Sequence, residues 1–120
     1  MEFSSDKAIY LQIADRMIEQ VLSRQWKPDD RIPSVRDTAV QVAVNPNTVV
    51  RSYAYLQDLD IIYNQRGIGY FVGAEAYEKA VAVRKQEFLE RSLPELFKTM
   101  DLLHITVEEL TELYQQHTTV

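Results

Sequence analysis

Cysteine is absent from the 120-residue chain. That excludes a disulfide scaffold, a thiol nucleophile and cysteine-ligated zinc. Histidine occurs only twice, as His104 and His117, both near the C-terminus and too few for a metal cluster. No Ser/His/Asp set, glycine-rich phosphate loop or pair of carboxylates in an apolar setting is present. The expectation is therefore a protein that is not an enzyme and uses no cofactor or metal. No apolar run approaches the ~20 residues of a membrane-spanning helix, so no membrane partner is expected. Residues Met1–Asp6 lack the basic segment and apolar stretch of a secretory leader, and the expected compartment is the cytoplasm. Only three glycines and four prolines occur, so each marks a place where the chain needs one.

What is present is the composition of a globular chain, 46% hydrophobic and 26% charged, with a net charge of −5. That balance argues against polyanion binding by the whole molecule, but the charge is uneven. Residues 1–73 carry eight basic and nine acidic side chains, and residues 74–120 carry five and nine. Between Arg31 and Gln57 three arginines face Asp37 alone, a local net of +2. A nucleic-acid site here has to be a small patch in that stretch.

Apolar spacing and punctuation give the elements. Tyr10, Ile13, Ala14, Met17, Ile18 and Val21 recur at helical intervals, which predicts a helix over 8–24, ended by Lys27-Pro28-Asp29-Asp30. Ser34 with Asp37 three residues on reads as a helix cap, opening a short helix to about Ala43 with Val35, Ala39 and Val42 inward. Asn45-Pro46 starts a third helix to about Leu59: Asn is a strong N-cap, and Pro at the first position loses no hydrogen bond. Its inward face is Val49, Tyr53 and Leu56; Asn47, Thr48, Arg51, Ser52 and Tyr55 are expected opposite. Ile61–Asn64 and Ile68–Val72 read as a β-hairpin turning at Gln65-Arg66-Gly67, with Gly67 supplying positive φ and Gly69 marking a bulge or close backbone approach. After Gly73 helix formers dominate. Helices are expected over 75–93, 95–103 and 106–116, with Pro94 ending or kinking the first or starting the second, and Thr106/Glu109 as a capping box.

Three helices followed by a hairpin make a mainly α winged helix-turn-helix (residues 1–73) with a short helical tail (74–120). In that arrangement the third helix enters the DNA major groove by its N-terminal end, where each base pair shows a distinct donor and acceptor pattern. Asn47 can address a base edge, Thr48 a phosphate or thymine methyl, and Arg51 guanine or phosphate. Arg36, near the start of the second helix, can reach the backbone, and the hairpin tip can lie along the adjacent groove. Taken singly, each of these residues is compatible with an ordinary solvated surface, and Tyr53, Tyr63 and Phe71 read as core. The ordered combination is what points to DNA.

The runs Arg31-Ile32-Pro33-Ser34-Val35-Arg36-Asp37, Val44-Asn45-Pro46-Asn47-Thr48-Val49 and Gln65-Arg66-Gly67-Ile68-Gly69-Tyr70-Phe71-Val72 together resemble the GntR family of bacterial transcription regulators. The short tail is similar to that of the YtrA-like subfamily. The resemblance implies DNA contacts by Arg36, Asn47, Thr48, Arg51, Arg66 and Gly67. It also shows departures. Pro46 stands where many members have a DNA-contacting arginine, and Val50 where a polar residue is common. Asp29 and Asp60 replace usual turn glycines, and Thr38 replaces a core leucine. Those three predict looser turns or local strain.

So few cations limit the affinity of a single copy. The apolar stripes of the tail (Ala76, Ala80, Val83, Phe88, Leu89, Leu93, Leu96, Met100, then Leu102, Leu103, Ile105, Leu110 and Leu113) are expected to pair two copies, joining two half-sites. The expected partners are thus a double-stranded operator and a second copy of the chain, with an effector left open. The resemblance implies a repressor acting on an inverted repeat. The alternative is a winged-helix module that binds a protein instead of DNA.

Overall fold

The computed structural model describes residues 7–118; the stretch read for a secretory leader lies outside them. Six helices and one hairpin follow in the order α1 (Ile9–Leu22), α2 (Val35–Val42), α3 (Pro46–Asp58), β1 (Ile62–Gln65), β2 (Gly69–Val72), α4 (Ala76–Glu87), a π-helical turn (Phe88–Ser92), α5 (Leu93–Leu103) and α6 (Val107–Thr118). One compact unit ends at Val83 and a second begins at Arg84.

The predicted caps form. Ser34 Oγ accepts from the Asp37 N–H at 3.1 Å, Asn45 Oδ1 from the Asn47 N–H at 2.8 Å, and Thr106 Oγ1 from the Glu109 N–H at 3.1 Å. Each satisfies an N–H that the helix start would leave unpaired. The other ends show what scarce glycine costs. Arg24, Ala43, Asp60 and His104 follow α1, α2, α3 and α5 in the left-handed region, at φ 62°, 56°, 60° and 58°. After α3 the Asp60 N–H donates to Gln57 C=O and Ile61 N–H to Leu56 C=O, the paired bonds of a Schellman closure. After α2 the same two bonds run from Ala43 to Val40 and from Val44 to Ala39. Asp29 also has positive φ, 67°. Asp29 and Asp60 therefore adopt the backbone a glycine would have taken, which Asp tolerates better than most residues.

The core of the first unit is one apolar cluster. Ile13, Ala14, Met17, Ile18 and Val21 of α1 meet Ala39 of α2 and Val49, Tyr53 and Leu56 of α3, closed below by Ile32, Ile61, Ile62 and Val72. Val35 and Val42 pack against it half-buried. Ala76 and Ala80 are buried in the same cluster, with Tyr77 and Val83 against it, and the Arg24 guanidinium lies 4.0 Å from the centre of the Tyr77 ring. Packing thus carries the first unit beyond the composition change at Gly73, because two alanines let α4 approach closely. This part of the tail's apolar stripe covers its own chain.

Thr38 does not loosen the core. It is buried, and its Oγ1 lies 2.8 Å from Tyr53 Oη, whose own proton goes to Pro33 C=O at 2.7 Å. With the phenol proton so committed, the threonine hydroxyl is the donor. Three groups on the α2 approach, α2 and α3 are joined in one satisfied relay.

The hairpin pairs Ile62 with Val72 through Gln65 with Gly69. Its turn is Arg66-Gly67-Ile68, one residue later than the sequence indicates, so Ile68 lies in the turn and not in the strand. Asp29–Ile32 runs along β2, with bonds from Asp29 to Val72, Val72 to Asp30 and Ile32 to Tyr70. Tyr63 is exposed, correcting its reading as core; it stacks on Phe71 and donates to Asp29 Oδ1 at 2.9 Å. Phe71 is half-buried.

In the second unit, Leu93 N–H donates to Phe88 C=O across the π turn. Pro94 lies in the first turn of α5 and has no N–H to give back to Glu90. A wider turn accommodates that residue, so of the roles expected for Pro94 the structure shows the start of the next helix, reached through a local change of pitch. Met100 is buried, while Phe88, Leu89, Phe97, Leu102, Leu103, Val107, Leu113 and Tyr114 are exposed.

Candidate nucleic-acid interface

Helix α3 is sealed on one side and open on the other. Val49, Ser52, Tyr53 and Leu56 are fully buried, whereas Asn45, Pro46, Asn47, Val50 and Arg51 are exposed and Thr48 is half-buried. The Asn45 side chain is spent on the cap, which leaves Asn47 as the free amide at the open end. Val50, just before Arg51, presents an apolar side chain that is 49% exposed. A methyl-bearing surface of that kind suits van der Waals contact, not a polar base contact.

Arg36 is exposed in the first turn of α2, and no ion pair ties it to Asp37 among the described residues. Arg66 and Gly67 form the exposed hairpin tip, with Gly67 at φ 79°. All six residues singled out from the sequence therefore lie on the surface of the first unit. Four lie on the α2–α3 pair and two on the wing that follows α3.

Four further residues hold this surface in place, and the sequence alone does not reveal their roles. Ser52, expected on the open face, is buried and donates to Tyr10 C=O at 2.7 Å. Its position three after Val49 and four before Leu56 was the available signal, since a small hydroxyl within an apolar stripe needs a partner. Tyr10, read as core, is half-buried, and the Arg51 guanidinium lies over its ring, 4.0 Å from ring centre to carbon. Tyr55, expected opposite the core, packs half-buried against it and meets Tyr10 edge to face, ring centres 6.5 Å apart. Arg31 donates from Nη2 to Ile68 C=O at 2.6 Å, and its guanidinium crosses Gly69. A Cβ on Gly69 would come within 3.1 Å of that guanidinium, and the backbone there has φ 150°. The expected close approach is thus made by a side chain, and it braces the wing from its base.

Two aromatic hydroxyls are shifted. Burial pushes the Tyr53 phenol up to about 12, and the hydrogen bond to Asp29 raises that of Tyr63. Both stay protonated at neutral pH, as their donor roles require. Among the described residues no helix is long and apolar enough to cross a membrane, and no His/Cys/Asp/Glu cluster able to hold a metal occurs.

A helix-turn-helix with one exposed helix start and a braced two-stranded wing is the architecture of a winged-helix DNA-binding protein. Residues 9–72 match the family of bacterial regulatory proteins known as the gntR family, so the chain belongs to the GntR family. It is 38% identical over 111 residues to the HTH-type transcriptional regulator YhcF of Bacillus subtilis, covering 92% of this chain and 90% of that one. It is 32% identical over 108 residues to the HTH-type transcriptional repressor YtrA of the same organism, covering 90% and 82%. A crystal structure of a GntR-family transcriptional regulator from Bacteroides thetaiotaomicron superposes with a TM-score of 0.80 at 43% identity, covering 93% of this chain and 97% of that one. The likeness to YtrA along most of both chains places this protein with the YtrA-like members. It is a DNA-binding transcriptional regulator, and this family is not one of enzymes.

Proposed function

We propose that the protein is a homodimeric repressor that binds an inverted-repeat operator through α3 and the wing. The observation that carries this reading is the asymmetry of α3: Asn47 and Arg51 are open to solvent while Val49, Tyr53 and Leu56 are sealed. Arg36, Asn47, Thr48, Arg51, Arg66 and Gly67 are the contacting residues, Arg36 and Arg66 chiefly to phosphates and Asn47 and Arg51 to base edges. Residues 1–73 form the DNA-binding domain and 74–120 the dimerisation tail, joined where Ala76 and Ala80 enter the core. The exposed Phe88, Leu89, Phe97, Leu102, Leu103, Leu113 and Tyr114 supply apolar surface for a second copy. The similar YtrA of Bacillus subtilis is a transcriptional repressor, which favours blocking a promoter over activating one. The protein acts in the cytoplasm, where its DNA is.

A gel shift against the DNA upstream of its own gene tests the reading, with sedimentation to give the stoichiometry. Wild-type protein is expected to retard the duplex as two chains per site. The double variant Arg36→Ala/Arg51→Ala is expected to lose that shift. Undiminished binding by the double variant removes the named contacts, and binding insensitive to salt favours a protein-docking role instead.

A further inference from the structure

Arg51 is the one arginine of α3, and its guanidinium lies over the Tyr10 ring of α1 at 4.0 Å. Tyr10 is itself fixed on three sides. Its carbonyl accepts from the buried Ser52 hydroxyl at 2.7 Å, its ring meets Tyr55 edge to face, and its chain position lies in the first turn of α1. Ser52, Arg51 and Tyr55 all belong to α3, so one tyrosine of α1 is clamped to three neighbours on the helix with the open end. The Ser52 bond ties the Tyr10 backbone to α3, and the ring is flanked there by Arg51 and Tyr55.

The chemistry of the stack matters. A guanidinium is flat, with its N–H donors directed outward in its own plane. Stacking on a ring uses the face and leaves those edge donors free. The edge is what a guanine presents its two acceptors to in the major groove. A free arginine side chain samples many rotamers and loses that freedom when it binds. One already laid on an aromatic face has fewer to lose. We infer that Tyr10 is a positioning residue for DNA reading: its ring holds Arg51 with the donor edge ready for a base, and so raises both affinity and discrimination at the pair that Arg51 contacts.

The role presupposes the proposed DNA-binding function, and the test separates the two. Duplexes enriched from a random library by wild-type protein serve as probes. Affinities are then measured for wild type, Tyr10→Phe, Tyr10→Leu, Arg51→Ala and Tyr10→Leu/Arg51→Ala. The enriched duplex and its single-pair substitutions are both used, at a temperature where circular dichroism shows every variant folded. Phe keeps the ring face, so Tyr10→Phe should bind like wild type. Leu keeps apolar volume but no ring face, so Tyr10→Leu should weaken binding by about two- to fivefold per subunit. It should also flatten discrimination at the same pair that Arg51→Ala affects, and the double variant should bind no more weakly than Arg51→Ala alone.

In the free protein, the Arg51 side-chain protons should show an upfield ring-current shift that persists in Tyr10→Phe and disappears in Tyr10→Leu. Absence of that shift in wild type overturns the inference without touching the DNA-binding reading. So do additive losses in the double variant. A loss in Tyr10→Phe equal to that in Tyr10→Leu overturns it too, by assigning Tyr10 a contact through its hydroxyl. Enrichment of no duplex by the wild type overturns both.

Discussion

The relay of Thr38, Tyr53 and Pro33 makes a quantitative prediction because its members are unequal. Tyr53 is fully buried and makes two hydrogen bonds, one accepted from Thr38 and one donated to Pro33. Tyr53→Phe removes the oxygen between them. It leaves the Pro33 carbonyl without its donor and frees the Thr38 hydroxyl to turn to a weaker local acceptor. Each net hydrogen bond is worth roughly 1 kcal/mol, and an orphaned buried acceptor adds a penalty of roughly 1–3 kcal/mol. Part of that penalty is relieved, since Pro33 is only half-buried. The expected loss is about 2 kcal/mol. Thr38→Val is gentler. The phenol keeps its donor bond to Pro33, and the new methyl fills the hydroxyl's space in an apolar site, so the expected loss is about 1 kcal/mol or less. Urea denaturation of both single variants and of the double variant measures the three values. The two changes should not be additive, because once the phenol oxygen is gone the threonine has nothing there to bond. A Thr38→Val loss equal to or larger than that of Tyr53→Phe refutes the assigned direction of the relay, and so do additive losses.

Three further outcomes rest on other features of the fold. Ala43 closes α2 at φ 56°, so Ala43→Gly should stabilise the fold by about 0.5–1 kcal/mol and raise the melting temperature by about 2–4 °C, read by calorimetry; a lower melting temperature contradicts the strain. Because the folded-state value of Tyr53 lies at about 12, above the ordinary 10, the stability it contributes is full below pH 10 and is lost as pH rises from there through about 12, a fall that should shrink in Tyr53→Phe when denaturation midpoints are compared across that range. Arg66 sits on the exposed wing tip, so Arg66→Ala should reduce the slope of log affinity against log salt by about 0.9 for each bound chain while leaving sequence preference unchanged; an altered preference assigns Arg66 a base contact instead.

Helix starts were legible because a cap is a local event. Ser34 and Asp37, Asn45 and Asn47, and Thr106 and Glu109 lie two or three residues apart, and the side-chain chemistry needs nothing from elsewhere in the fold. Helix ends were less so. Gly is the usual signal there, and this chain uses Arg24, Ala43 and His104, which carry none. The side of α3 that faces outward was readable from Val49, Tyr53 and Leu56, but the assignment of Ser52 was not. Its partner is a carbonyl 42 residues away, and period alone cannot tell a buried hydroxyl from a solvated one. The hairpin turn moved by one residue for a similar reason. Ile68 is β-branched and reads as strand, yet its carbonyl is taken by Arg31, 37 residues earlier. Composition put the end of the winged domain at Gly73. The alanines after it have no strong signal, although their small size is what allows α4 to join the core.

The long-range ties missed in the sequence share a purpose that the charge balance makes clear. Arg36, Arg51 and Arg66 are three cations on a chain whose net charge is −5, so general attraction to phosphate is weak. Recognition must then depend on placement. Thr38–Tyr53–Pro33 joins α2 to α3, Ser52–Tyr10 joins α3 to α1, and Arg31–Ile68 fixes the wing to the strand-like segment before α2. Each tie fixes backbone beneath a residue proposed to touch DNA, while Asn47 and Arg66 stay exposed. A protein rich in positive charge can tolerate a shifted helix, since phosphates lie all along the duplex. Base-edge donors and acceptors lie at fixed points, and a displaced amide or guanidinium forfeits its bonds. Loosening any one of these ties should therefore erode the preference for the operator over random duplex before it erodes binding to random duplex.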